Sequence, residues 1–319
     1  MLSGPAGRIV GLVVALALIY IVGALTAGDT FTSVSNLMVI LRQASIIGVI
    51  SVGMTFVIIS GGIDLSVGAV MGLASVVATL DVVQNFSEQT HWVTMVLIAL
   101  AVGLAAGVVN GVVIAYGNVV AFMATLAMLV AARGLAEILA ERRTLTVDAR
   151  DFVEFFNADF LGVDILIWMF ALVSVAAWIL LNRTTFGRRT VAIGGNREAA
   201  RLAGINVKRH TVLLYAIAGL TAGIAAIMIL GRTTAGTSTH GSLYELDAIA
   251  AVVVGGTLLV GGRGTIVGTV FGVLIFATLT NVFIQNNLSS SVQAVAKGVI
   301  IVVAVLLQQR FGRRDSRTT

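Results

Sequence analysis

Few side chains in this sequence combine in the ways that bond-making chemistry needs. A phosphate-binding loop requires Gly-Lys before Ser or Thr, so that backbone amides cradle phosphate and the hydroxyl reaches magnesium. The two lysines, Lys208 and Lys297, follow Val207 and Ala296. Absence of cysteine excludes disulfides, thiolate metal sites and cysteine nucleophiles. His91, His210 and His240 fall in separate loops or helix ends, which gives no metal-ligand spacing. No Ser-His-Asp set, HExxH pair or paired carboxylates stand out. The expectation is a chain that is not an enzyme and holds no metal or cofactor of its own.

Ionisable residues inside apolar stretches carry more information. A charge is costly in hydrocarbon, so each one defaults to a functional reading. Asp64 directly follows a diglycine, and Glu245 and Asp247 open a short apolar stretch. All three can line a path for polar solute, or simply cap helices. Arg133 and Glu137 stand four apart and can pair with each other, while Lys297 has no evident partner. Uncharged groups that could face water are Thr55, Ser66, Asn110, Thr125, Asn281 and Gln285. There is no longer chain of carboxylates, which argues against a proton-driven pump.

A third group is concentrated in one polar island, residues 182–209. Arg183, Arg188, Arg189, Arg197, Arg201, Lys208 and Arg209 face one acid, Glu198. Such a loop belongs on the cytoplasmic side by the positive-inside rule. It also contains a short helix signal. Asn196 suits an N-cap, Glu198 suits the first turn, and Gly204 suits the residue past the C-terminus. Ala199, Leu202 and Ala203 form a small apolar stripe at helical spacing. Two turns are too few to be stable alone, since about 12–15 residues are marginal in water. Such a helix needs something to dock into. The alternative is an ordinary loop whose arginines sit at lipid headgroups.

The elements that must position these groups are hydrophobic helices. The 319 residues are 58% hydrophobic and 11% charged, with a mean hydropathy of +1.03. That is an all-α integral membrane protein. Its net charge of +5 sits in inferred cytoplasmic loops and points to anionic lipid of the bilayer, not nucleic acid. Apolar spans run over 8–27, 37–59, 64–83, 92–115, 119–140, 164–181, 210–231, 245–260, 264–285 and 292–308. The first reads as an uncleaved helix, because Leu25 occupies the −3 position before Ala27. About ten spans put both termini and the basic tail (Arg310, Arg313, Arg314, Arg317) inside and the acidic stretch 141–164 outside. The stretch 245–260 is short enough to be re-entrant or broken. No linker divides the chain, so residues 1–319 read as one transmembrane domain with 141–164 as its one sizeable outer loop.

Pro5 is the only proline, so helix breaks must come from glycine. Gly103, Gly107 and Gly111 share a helix face, as do Gly264, Gly268 and Gly272, and Gly68 and Gly72. Close helix packing is the plain reading. There is also an internal echo at an offset of 200: Gly61-Gly62, Gly68 and Gly72 match Gly261-Gly262, Gly268 and Gly272.

Three blocks carry a family resemblance: residues 52–68 (VGMTFVIISGGIDLSVG), Gly194-Gly195-Asn196 with Gly204-Ile205-Asn206-Val207, and residues 244–257 (YELDAIAAVVVGGT). They resemble the ribose-type permease subunits of ABC sugar importers, over about residues 36–308. Glu198-Ala199-Ala200 with Gly204 is similar to the EAA-and-glycine pattern of importer permeases, although its proline end is absent. The resemblance implies a coupling helix built from Gly195, Asn196, Arg197, Glu198, Ala199, Ala200 and Gly204, seated in a cytoplasmic ATPase. It implies a second permease subunit, identical or related, forming a central path. It implies an ATPase with two nucleotide-binding modules that holds ATP and magnesium, and an extracytoplasmic sugar-binding protein. The setting would be the bacterial plasma membrane. A self-sufficient secondary transporter or channel, or a membrane scaffold without a path, stays as the competing expectation.

Overall fold

The computed structural model describes residues 5–315. Arg317 of the basic tail lies outside them, as do the side chains of Arg8, Arg310, Arg313 and Arg314. In chain order the elements are α1 (Pro5–Thr32), α2 (Val34–Ile59), α3 (Val67–Ala78), α4 (Asp81–Gln89), α5 (Val93–Ala115), α6 (Ala121–Leu139), β1 (Leu145–Thr146), α7 (Arg150–Phe156), β2 (Asp159–Phe160), β3 (Val163–Asp164), α8 (Ile165–Arg183), α9 (Thr185–Gly195), α10 (Arg197–Leu202), α11 (Val207–Thr233), β4 (Ala235–Gly236), α12 (Tyr244–Val254), α13 (Ile266–Gln285) and α14 (Ser290–Asp315).

Among the described residues, seven helices are long and apolar enough to cross a membrane: α1, α2, α5, α6, α8, α11 and α13. The pair α3 and α4, bent by 57°, makes an eighth candidate. Length and composition alone thus account for seven or eight of the expected ten spans. The two further predicted spans are occupied by α12 and α14. At 12 and 11 residues, α3 and α12 are each only about 17–18 Å long, against hydrocarbon about 30 Å thick. Glycine and left-handed residues account for α12's limits. Leu243 at φ 66° precedes it and Gly256 at φ 92° follows it.

Burial sorts the helices into centre and rim. The apolar windows of α2, α11 and α13 are 67%, 72% and 67% buried, whereas those of α1, α6 and α8 are 6%, 22% and 22%. The rim helices therefore turn apolar residues such as Leu25, Val130 and Leu172 outward, as lipid requires. The packing reading of the glycines holds on α5. Side chains at Gly103 and Gly107 would overlap the backbone of α11 at Gly219 and Tyr215. On α3 the same pattern has another partner. Gly68 and Gly72 lie against backbone at Ser238, His240 and Gly241, so that face receives a non-helical segment instead of a helix.

Residues 141–164 form a small lobe. Its helix α7 puts Phe152, Phe155 and Phe156 around Trp92, with ring centroids 5.1 to 6.1 Å away. β1 pairs antiparallel with β4. Gln84 of α4 ties the lobe down, donating to Thr146 O and accepting from Asp148 N. Asp164 caps α8 through Leu166 N at 2.7 Å.

Candidate functional site

The short helix foreseen in the basic loop is present as α10. Asn196 is extended at φ −157°, ψ 105°, and its Oδ1 accepts from Ala199 N at 2.9 Å. At the other end Gly204 takes φ 84°. There Ile205 N donates to Ala200 O and Gly204 N to Arg201 O, the double bond pattern of a Schellman cap. Neighbouring helices are capped in the same way, with Thr184 accepting from Gly187 N and Asn206 from Arg209 N.

One residue anchors α10. Ala200 is buried among Ile193, Val207 and Ile205. The predicted stripe faces the other way, with Ala199, Leu202 and Ala203 exposed and Leu202 77% accessible. Glu198 accepts from Arg201 one turn on, and that bond holds its carboxyl below the usual glutamate range. Behind the helix, His210 Nε2 lies 2.9 Å from Thr190 Oγ1, and its ring stacks 4.4 Å from Phe186. The helix is thus a propped projection whose outer surface is small and apolar within a basic rim.

Three of the predicted polar residues meet at one point. Past the diglycine turn, Asp64 Oδ1 accepts from Ser66 N at 2.9 Å and from Ser66 Oγ at 2.6 Å. Ser66 Oγ accepts from Asn110 Nδ2 at 2.9 Å. Asp64 therefore closes a turn ahead of α3 instead of capping it. Ser66 holds the N-cap position and makes no side-chain cap bond.

The other predicted groups are elsewhere. Thr55 of α2 meets Thr269 of α13 at 2.7 Å. Asn281 of α13 exchanges two amide bonds with Asn36 of α2, and Gln285 adds a third. Thr125 bonds within its own helix, to Ala121 O.

Arg133 and Glu137 do not pair as expected. Arg133 Nη1 donates to Ser238 O and, at 2.9 Å, to His240 O. Glu137 instead lies 3.7 Å from Arg142. The reason lies in the segment 237–243. It is neither helix nor strand, and its carbonyls need donors where it runs along α3. Glu245 is buried at the start of α12, with Oε2 against Gly68 and without a hydrogen-bond partner. Lys297, expected to be alone, pairs with Asp247 at 3.0 Å. Sequence reading also passed over Arg42 of α2, whose Nε lies 2.6 Å from Asp164 Oδ2. A lone arginine inside the span 37–59 was the available signal. Among the described residues no cluster of three or more His, Asp or Glu could hold a metal ion.

This arrangement defines a class: a multi-pass helical membrane protein in which half-length helices and non-helical segments lie among full spans, beside a prebuilt surface helix. The chain belongs to the family described as branched-chain amino acid transport system / permease component, which matches residues 36–307. It is 40% identical over 303 residues to the ribose import permease protein of Escherichia coli (strain K12), covering 94% of this chain and 92% of that one. The ribose import permease protein of Bacillus subtilis (strain 168) is 40% identical over 283 residues, 88% of this chain and 87% of its own. The L-arabinose transport system permease protein of Escherichia coli (strain K12) is 36% identical over 316 residues, 97% and 92% of the two chains. No solved structure matches the chain.

Proposed function

We propose that this chain is the membrane permease subunit of an ATP-binding cassette importer for a sugar: a pentose, a hexofuranose or a related small carbohydrate. The observation that carries the reading is α10, a six-residue helix capped at both ends, with its apolar stripe turned outward. A helix so short does not persist unaided. This one is built into the fold and presents Ala199, Leu202 and Ala203 to a partner. That partner is a separate cytoplasmic ATPase with two nucleotide-binding modules, which holds the ATP and magnesium.

Gly195, Asn196, Arg197, Glu198, Ala199, Ala200 and Gly204 form the coupling element. A second permease subunit, identical or related, completes the path, and an extracytoplasmic binding protein delivers sugar to the lobe side. The protein sits in the bacterial inner membrane with both termini and α10 cytoplasmic, crossing about ten times. On this reading Asp64, Ser66, Asn110, Thr55, Thr125, Glu245, Asp247 and Asn281 are the polar groups that line or control the path. Closure of the ATPase around ATP moves α10, and the spans rock between two access states.

A self-sufficient transporter is the second reading. It is weakened by the partners already found for Asp64 and Asp247: of the three predicted carboxylates Glu245 alone keeps a buried oxygen without a hydrogen bond, whereas proton relays use chains of such groups. Purification in mild detergent tests the main reading. An ATPase should co-elute, and proteoliposomes holding both, with the sugar-binding protein supplied outside, should take up D-ribose or L-arabinose only with ATP inside. Uptake by the chain alone, with no nucleotide, overturns it.

A further inference from the structure

We infer that two diglycine turns, 61–62 and 261–262, and the diglycine end of α9, 194–195, are joined into one rigid block that ties α10 to the lead-in of α3 and to the turn between α12 and α13, with Gly194 and Gly262 as positioning residues. The inference rests on the reading of α10 as the coupling element, and it concerns where that element's motion goes.

The three pairs are Gly61-Gly62, Gly194-Gly195 and Gly261-Gly262. They are far apart in sequence and converge in space. Gly262 N donates to Ile59 O, the last residue of α2, at 2.8 Å. A side chain on Gly194 would overlap that same Ile59 carbonyl and crowd Gly262 N. One on Gly261 would come within 2.9 to 3.0 Å of Gly194 O and of the backbone of Gly61. Gly61, Gly261 and Gly262 all have φ between 77° and 87°, which glycine adopts without strain. The echo at an offset of 200 is therefore also spatial, because the two matching turns touch.

The mechanical consequence follows from what is missing between the backbones. Side chains in an interface can change rotamer and absorb a displacement. Here main chain meets main chain: the Gly262 N to Ile59 O hydrogen bond joins two of the segments, and Gly194 packs against both ends of that bond. Gly195 and Asn196 lead directly into α10. A push on α10 must then move the end of α2, and with it residues 60–66, which carry Asp64 and Ser66. It must also move 261–262, which lead through 263–265 into α13. Tyr215 of α11 steadies the same lead-in by donating to Ile63 O at 3.3 Å.

The test uses the permease purified with its co-eluting ATPase, read by hydrogen exchange with mass spectrometry. Nucleotide-free complex is compared with complex trapped by ATP and vanadate. The amide of Gly262 should stay equally protected in both, while residues 60–66 change exchange at least threefold. In Gly194→Ala the ATPase should still co-elute, but 60–66 should no longer respond to trapping. Gly134→Ala, which places its methyl in open space on α6, should respond like wild type. Exchange at Gly262 that rises tenfold in one state shows the block opening and overturns the inference, as does a normal response in Gly194→Ala. If Gly194→Ala does not fold, the wild-type comparison still decides. Failure of any ATPase to co-elute removes the coupling reading itself, a separate result from an ATPase that binds while the block opens.

Discussion

Lys297 of α14 donates to both carboxylate oxygens of Asp247 on α12, at 3.0 and 3.1 Å. The side chains are 21% and 16% exposed. The pair fixes a half-length helix to the last helix of the chain, and it leaves neither charge alone in an apolar setting.

Removing one partner should be worse than removing both. Lys297→Ala leaves a carboxylate without its counter-charge, and breaking a buried pair costs about 3–5 kcal/mol. Partial exposure lowers this to about 1–3 kcal/mol. Lys297→Met with Asp247→Leu should recover most of the loss. Thermal unfolding in detergent checks the order: single variants low, the double near wild type. A double variant no better than the singles would mean that the pair does more than neutralise charge.

Arg133 supports a second prediction. Its guanidinium serves the carbonyls of Ser238 and His240 in a segment held otherwise by isolated turn hydrogen bonds. Hydrogen bonds to charged groups are worth about 1.5–3 kcal/mol each. Arg133→Ala should destabilise by about 2–4 kcal/mol and loosen residues 237–243. Arg133→Lys should recover less than half, because an ammonium on a flexible stem lacks the planar fork. Limited proteolysis across 237–243 together with melting temperature measures both effects.

Gly107 should tolerate no side chain. A Cβ there would overlap Tyr215 O and crowd Gly219 of α11, both backbone, which cannot rotate away. Gly107→Leu must separate α5 from α11. Overpacking costs about 1–3 kcal/mol where side chains can adjust, and more is expected here. A drop in folded yield and in melting temperature should follow, with Gly134→Ala unchanged.

Much of this was legible in the residues. Asn196, Glu198 and Gly204 mark α10 because capping is local chemistry, and a few residues suffice to specify it. The glycine face of α5 was readable for a similar reason, since spacing alone places its members together. The path of 237–243 was not readable. Its sequence, TSTHGSL, resembles any polar connection, and its contacts with Gly68, Gly72 and Ser75 are what show that it runs along α3. Lys297 and Arg133 were misjudged because their partners lie 50 and 105 or more positions away, and local periodicity cannot report such pairs. The short length of α12 was visible as a weak span. Its cause, left-handed backbone at Leu243 and Gly256, was not.

Glu198 separates the fold of α10 from its use. Its carboxyl titrates lower than usual because Arg201 donates to it. A depressed carboxylate stabilises the folded state above its ordinary range, and that contribution fades as pH falls through the lowered value. The pair is fully exposed, so solvent screening keeps its contribution small. Glu198→Lys should therefore leave membrane insertion and melting temperature essentially unchanged between pH 6 and 8. The same change places a positive charge opposite whatever receives the stripe of Ala199, Leu202 and Ala203, and it adds to an already basic rim. ATP-dependent sugar uptake should fall at least a hundredfold, and Glu198→Gln, which keeps an acceptor without adding a cation, should retain a measurable fraction. Uptake by Glu198→Lys at the wild-type rate would leave α10 as a surface turn with no coupling role.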